Sequence, residues 1–237
     1  NLGEGMAKHF MVPFNEKLWQ VPLSELTSDW VSWLVPKPQL RDVVNGALGI
    51  KDKDFGYNPT FLYPAQGGIE ALPNSFLPGV SALDCHTELV EVDVLKKRAV
   101  FARLGPDGQS TLFETDYEAL VSTIPIPELV RRCHGLSTSI KEAASRLRYV
   151  SVYNVNLAVE RADISDKHWI YFPEKTYPFY RAGFPMNFSP ALGRPGCSSL
   201  YVEMSHRPEV QVSDEVLVGE VRLGLERAGI LRGDDRL

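Results

Sequence analysis

The stretch from His168 to Pro190, HWIYFPEKTYPFYRAGFPMNFSP, constrains the fold more than any other. Trp169, Tyr171, Phe172, Tyr177, Phe179 and Tyr180 crowd its first half, and four prolines interrupt it. A surface loop rarely holds this much aromatic mass, and a plain core strand rarely holds this much proline, which lacks the N–H a ladder needs. The combination suits the wall of a cleft, with prolines setting the backbone and rings giving flat sides. Arg181 adds a planar guanidinium fork that can grip a phosphate or carboxylate at two points. The same residues also fit a proline-rich hairpin whose rings are ordinary core and whose arginine lays its stem along apolar surface.

Composition narrows the classes. The chain has 237 residues, enough for one large domain or two modest ones with real cores. A net charge of -5 without a basic stripe argues against nucleic-acid binding. No run reaches the roughly eighteen apolar residues of a membrane span. Three cysteines, Cys85, Cys133 and Cys197, lie far apart, which fits reduced thiols in the cytoplasm better than a disulfide framework. With no CxxC and five scattered histidines, no metal site is expected. The ends, Asn1 without an initiator methionine and Leu237 just after a helix, are those expected of a portion of a longer protein.

Along the chain, a short helix is expected over 7–11, stopped by Pro13, and a second over 24–33, with Leu26, Trp30 and Trp33 at helical spacing as packing residues. Val35 to Pro38 is a break, and 40–48 a helix ended by Gly49. Residues 60–63 are strand-like up to Pro64, and Gly67-Gly68 opens a helical segment reaching Phe76. Two glycines before a helix let backbone amides approach an anion or a flat ring. From Glu88 to Phe113 the pattern alternates as strands, with GPDGQ as a hairpin turn. YEALVSTIP, 117–125, is apolar almost throughout and predicts a buried strand of a parallel sheet. Residues 126–149 are mostly helical, with Ile140, Ala144 and Leu147 on one face. Residues 150–159 and 198–205 alternate as strands. Ser213 caps a last helix that turns Leu217, Val221, Leu225 and Ala228 inward and ends at Gly229. The fold class is therefore α+β or mixed α/β.

Five segments together resemble one family. WIYFPE, PFYRA and NFSP, with PFNEKLW (Pro13 to Trp19) and YPAQGGIEAL (Tyr63 to Leu72), are similar to elements of the UDP-galactopyranose mutases and their flavoprotein relatives. These belong to the protoporphyrinogen-oxidase and amine-oxidase group of FAD enzymes. The resemblance implies a substrate-binding domain of sheet plus helices and a partial, Rossmann-like FAD-binding domain without its N-terminal βαβ unit. It divides the chain into a helical part of the substrate domain (1–58), part of the FAD-binding domain (59–125), the sheet of the substrate domain (126–212) and a C-terminal helix (213–237). Asn15, Trp19, Asn58, Tyr171 and Arg181 match substrate-cleft positions, Tyr171 and Arg181 those that contact a diphosphate. Asn15 also fits a residue that bonds its own backbone. Gly67 and Gly68 match the segment beside the flavin ring, and Val92 and Ser122 lie where the family approaches FAD.

The resemblance implies FAD as cofactor and a small-molecule substrate, a nucleotide sugar. In the mutases the reduced flavin attacks the sugar and displaces the nucleotide, so that the ring opens and recloses in the other size. No residue is assigned as catalytic, because the cofactor carries the covalent chemistry. Two departures weaken the specific reaction: Leu34 stands where a second diphosphate-binding arginine is usual, and Phe188 where a tyrosine is usual. One charged contact fewer forfeits about 1.5–3 kcal/mol. The alternatives are an oxidoreductase of the amine-oxidase type on the same scaffold, and a non-catalytic piece. The GxGxxG that would hold a dinucleotide's pyrophosphate is not in the sequence, so this stretch alone is expected to retain no FAD and to be inactive.

Overall fold

A computed structural model describes residues 3–29, 39–50 and 60–237. They fall into two compact units, one of Asn1–Ser75 with Tyr149–Leu237 and one of Phe76–Arg148. The mixed α/β class expected from the pattern is what the chain adopts, with two four-stranded sheets and helices. No helix among the described residues is long and apolar enough to cross a membrane.

The first unit begins with helix where a break at Pro13 is expected. Helix α1 (Gly3–Met6) passes through a π-helical stretch, Ala7–Met11, into α2 (Val12–Trp19). Pro13 sits in the first turn of α2. Proline lacks an N–H and its ring collides with the carbonyl four residues back; the widened turn before it removes both objections. Gln20, left-handed at φ 55°, ends the run. The helix expected over 24–33 does not form in its described part: Leu23–Glu25 is a single 3-10 turn and 26–29 is irregular. Trp30, Trp33 and Leu34 lie outside the described residues. Helix α3 (Leu40–Ala47) forms as expected, opened by a reciprocal Gln39–Asp42 capping box and followed by Gly49 at φ 73°. Residues 60–63 join no strand, since nothing among the described residues pairs with them. After Gly67-Gly68 only Ala71–Asn74 (α4) is α-helical.

The sheet of this unit has strand order β5-β8-β7-β6 and is antiparallel throughout. Its strands are β5 (Ser151–Val159), β6 (Trp169–Tyr171), β7 (Arg181–Gly183) and β8 (Ser198–His206). The prolines of the aromatic stretch keep β6 and β7 to three residues each. Alternation along β8 sends Leu200, Val202 and Met204 to one face, where they pack with Val159, Phe172, Phe179 and Phe184. The last helix, Asp214–Arg227, covers that face with Leu217, Val221 and Leu225 buried. Its Gly224 allows the approach: a Cβ there would lie 2.8 Å from Phe179 and 2.8 Å from Pro178. Behind the helix, Arg161 grips Asp235 through two bonds of 2.8 Å and donates a third, 2.9 Å, to the carbonyl of Ile230. Asp235 also accepts the Arg232 N–H, and together these hold its carboxyl well below the usual carboxylate range.

The second unit is a meander, β1 (Thr87–Asp93), β2 (Arg98–Leu104) and β3 (Ser110–Asp116), in order β3-β2-β1-β4. The GPDGQ turn closes the second hairpin, with the Asp107 carboxylate accepting the Gln109 N–H. The short β4 (Cys133–His134) runs parallel to β1 opposite Val92 and Asp93, between α5 (Ile126–Arg132) and α6 (Thr138–Ser145). Numbered in chain order, Asp214–Arg227 is α7. The strand expected over 117–125 does not form: these residues are irregular, and Val121 is 90% exposed. An apolar run becomes a central parallel strand only between neighbours, and no strand among the described residues pairs with it.

Candidate functional site

The face of the first unit's sheet opposite the core is polar and aromatic. Register places Tyr171, Arg181 and Glu203 side by side across β6, β7 and β8, and Trp169, Gly183 and Tyr201 in the next row. On β5, Asn154 lies opposite Glu203 and Asn156 opposite Tyr201, both exposed. One face of a sheet thus collects a guanidinium, a carboxylate, three rings and two amides.

Arg181 and Glu203 form an ion pair through Nη2 and Oε1. Burial disfavours the guanidinium's charge, but the hydrogen bond and charge of Glu203 outweigh it and raise the arginine's pKa. Burial, with the Glu203 carboxylate acting in the same direction, pushes the Tyr180 phenol's pKa up. Tyr201 lies flat across Gly183: a Cβ on Gly183 would fall 2.2 Å from the ring. The same ring stands 6.0 Å from the Arg181 guanidinium carbon. The Arg181 side chain keeps a third of its surface exposed, while its Nε and Glu203 Oε2 are buried without a partner.

Helix α2 brings its aromatic side to this face. Phe14 meets the edge of Tyr171 at 5.1 Å and of Tyr180 at 6.2 Å, and Phe10 meets Tyr171 at 6.2 Å. Lys17 ties the helix down by donating to the carbonyls of Phe172 (2.8 Å) and Glu174 (2.9 Å). Burial lowers its pKa to about 8, with Glu174 pulling the other way. Asn15 is buried and donates to the carbonyl of Met11 at 2.7 Å, one turn back on the same helix. Trp19, at the helix end, is partly exposed.

Beside the sheet lies an open cleft of about 750 Å³ lined by Thr60 to Tyr63, Asp166 to Trp169 and Phe188. Its rings stand close together: Phe61 to His168 5.3 Å, Phe61 to Phe188 5.5 Å, Tyr63 to Phe188 5.5 Å. Ser189, which donates to the carbonyl of Ala65, joins the NFSP segment to the run leading into the two glycines. Gly67 and Gly68 both have positive φ, 77° and 63°. Their roles differ. A Cβ on Gly68 would press on Leu192 at 3.1 Å, so that glycine is bare for packing, whereas Gly67 meets only Ala71 at 3.4 Å and keeps an exposed backbone. A bare left-handed backbone near a group of edge-on and tilted rings fits a flat heteroaromatic group.

Tyr171 and Arg181 are therefore brought together, with Asn15 and Trp19 on the helix beside them. Asn58 lies outside the described residues. Val92 and Ser122 belong to the second unit, Val92 wholly inside its core and Ser122 on the exposed 117–125 segment. Sequence reading missed Glu203, Tyr201, Asn154 and Asn156. The available signal was an acid in the middle of an otherwise small and apolar alternating strand, SSLYVEMSH, and two asparagines spaced by two in another. Among the described residues no cluster of histidine, cysteine or acidic side chains could hold a metal.

The first unit thus combines an antiparallel sheet, a helix against its polar face and a glycine pair beside an aromatic cleft. The family of flavin containing amine oxidoreductases matches residues 8–235, and the chain belongs to it. Among solved structures, reduced UDP-galactopyranose mutase is 26% identical and superimposes with a TM-score of 0.81 over 99% of this chain. The chain spans about half of that protein, 51% of its length. A protein from Pyrococcus furiosus and an oxidoreductase from Methanosarcina mazei each match at 14% identity and a TM-score of 0.44, over 60% and 63% of this chain and 33% and 34% of theirs.

Proposed function

We propose that this chain is the central portion of a FAD-dependent enzyme that acts on a nucleotide sugar, as a UDP-galactopyranose mutase does. The observation that carries the reading is Arg181, a partly exposed cation set opposite Tyr171 on the polar sheet face. A guanidinium edge and a phenol side by side suit a diphosphate's oxygens. Gly67 and the ring-lined cleft are the part of this unit that would receive the flavin, and Val92 and Ser122 are candidates in the second unit. When bound, the flavin supplies the nucleophilic or redox chemistry. The chain's own residues bind and orient: Arg181 and Tyr171 the diphosphate, Asn154, Asn156 and Tyr201 the sugar, Phe10 and Phe14 excluding water over Tyr171.

The divisions at 58, 125 and 212 are proposed functional boundaries, with 59–125 serving the cofactor. Lacking GxGxxG, these residues by themselves should purify colourless. Free cysteines suit a cytoplasmic setting.

A specific feature favours a second reading. Glu203 already neutralises Arg181, and the neighbouring cleft is lined by rings, which suits an uncharged or amine substrate of an oxidoreductase. In the complete protein, Arg181→Ala should weaken UDP binding by about 2–5 kcal/mol under the nucleotide-sugar reading. Arg181→Lys should recover part of that loss. Unchanged affinity in calorimetry excludes this reading. Turnover that needs a reductant without consuming it identifies a mutase; stoichiometric oxidation of substrate identifies the oxidoreductase. Absence of flavin absorbance in the complete protein would leave only a non-catalytic role.

A further inference from the structure

We propose that Glu203 is a positioning residue for Arg181: it fixes which edge of the guanidinium is left exposed on the polar face of the sheet. The inference rests on the nucleotide-sugar reading for its binding arm and on the ion-pair geometry for the rest. Glu203 is buried at the centre of the sheet, where a charge is tolerated only if compensated. Its compensation comes from Arg181 through Nη2; Tyr180 is the residue before that arginine. Backbone bonding holds all three in place: the Tyr180 N–H donates to the carbonyl of Glu203 at 2.9 Å, and β7 and β8 pair Arg181 with Glu203.

The guanidinium is confined on its other sides. Tyr201 stands beside it, unable to shift toward β7 without leaving the space that Gly183 provides. Nε is buried. Of the guanidinium's N–H groups, those on the Nη atoms not taken by Glu203 are left for the exposed third of the side chain. A long side chain with several rotamers is thereby reduced to one presentation before any ligand arrives, which lowers the ordering cost of binding.

Glu203 could instead act only as a competing counter-ion, and the two roles predict opposite signs. If it positions Arg181, removing it weakens ligand binding; if it only competes, removing it tightens binding.

The test uses the complete protein with UDP as probe. Glu203→Ala should weaken UDP binding about tenfold or more, the scale on which a misplaced charged contact is felt. Glu203→Gln, which keeps an acceptor oxygen and the side-chain shape, should recover most of the loss. In an Arg181→Ala background, Glu203→Ala should add nothing. A nitrogen-15 NMR arm needs no ligand: a guanidinium held at one Nη rotates slowly about Nε–Cζ, so Arg181 should show separate Nη signals that merge in Glu203→Ala. Tighter UDP binding in Glu203→Ala, an equal loss with and without Arg181, or Nη signals that do not change between wild type and Glu203→Ala would each overturn the proposal. Wild-type protein that binds no UDP removes the nucleotide reading, and the NMR arm then decides the role of Glu203 by itself.

Discussion

The two units solve the problem of covering a four-stranded sheet differently. The first puts helix α7 across one face and buries eleven residues there, including Phe172, Phe179, Phe184, Leu200 and Leu225. The second buries only Val92, Ala99 and Cys133 as a cluster, with Leu89, Phe101 and Leu129 packed around them, and leaves Leu95, Leu112 and Val121 largely exposed. At about 25 cal/mol per Å² of apolar surface removed from water, the first unit holds the larger share of the stabilisation. The lesson concerns function as well. Because one face of its sheet is secured by a full core, the first unit can carry Arg181, Glu203 and two asparagines on the other.

The largest expected effect tests that contrast directly. Phe179→Ala should destabilise the first unit by about 3–5 kcal/mol, as a truncated, fully buried ring does. Val92→Ala in the second should cost about 1–2 kcal/mol, since less is removed from a smaller cluster. Urea unfolding of both variants measures this, and equal losses would erase the distinction.

Glycines sharpen it. Gly183→Ala must displace Tyr201, which should cost about 1–3 kcal/mol and disturb the site face. Gly79→Ala, in the second unit with nothing near its Cβ and an ordinary φ, should be neutral within about 0.5 kcal/mol. A Gly183→Ala protein with wild-type stability and an unmoved Tyr201 in its structure would refute the close approach.

A third expectation concerns acid. The Asp235 carboxyl has a folded pKa below its unfolded value, so the folded state binds fewer protons and stability is present above about pH 4, the unfolded value. As pH falls toward the folded pKa that contribution is lost. Asp235→Asn should flatten the acid limb of the first unit's stability profile, followed by circular dichroism; an unaltered limb would show that the Arg161 grip contributes nothing.

The smallest effect lies on the alkaline side. Lys17 has its pKa lowered to about 8 from 10.5, so between those values the unfolded chain holds a proton that the folded one has released. Stability should therefore rise modestly with pH across that window, and Lys17→Gln should lose the slope. Denaturation midpoints at pH 7.5 and 9.5 for the two proteins decide it.

Much of this was readable from the residues in order. Alternation marks β1, β2, β3, β5 and β8, because a half-buried strand shows its two faces at period two. The spacing of Leu217, Val221 and Leu225 marks α7 and its buried side, and the aromatic stretch supplies His168, Trp169 and Phe188 to the cleft wall. Two expectations failed for different reasons. The helix through Pro13 survives because the preceding turn widens, an adjustment no local pattern announces. The 117–125 run has strand composition but no partner, and propensity alone does not make a sheet.

The sequence by itself determined the period of most elements and the family likeness, and it drew attention to Tyr171 and Arg181. Only the tertiary structure decided that Arg181 faces Glu203, that Tyr201 lies across Gly183, and that Gly68 packs against Leu192. The physical reason is that those choices depend on register between strands distant in the chain. Pairing β7 with β8 brings residues 181 and 203 together across a separation no local pattern encodes.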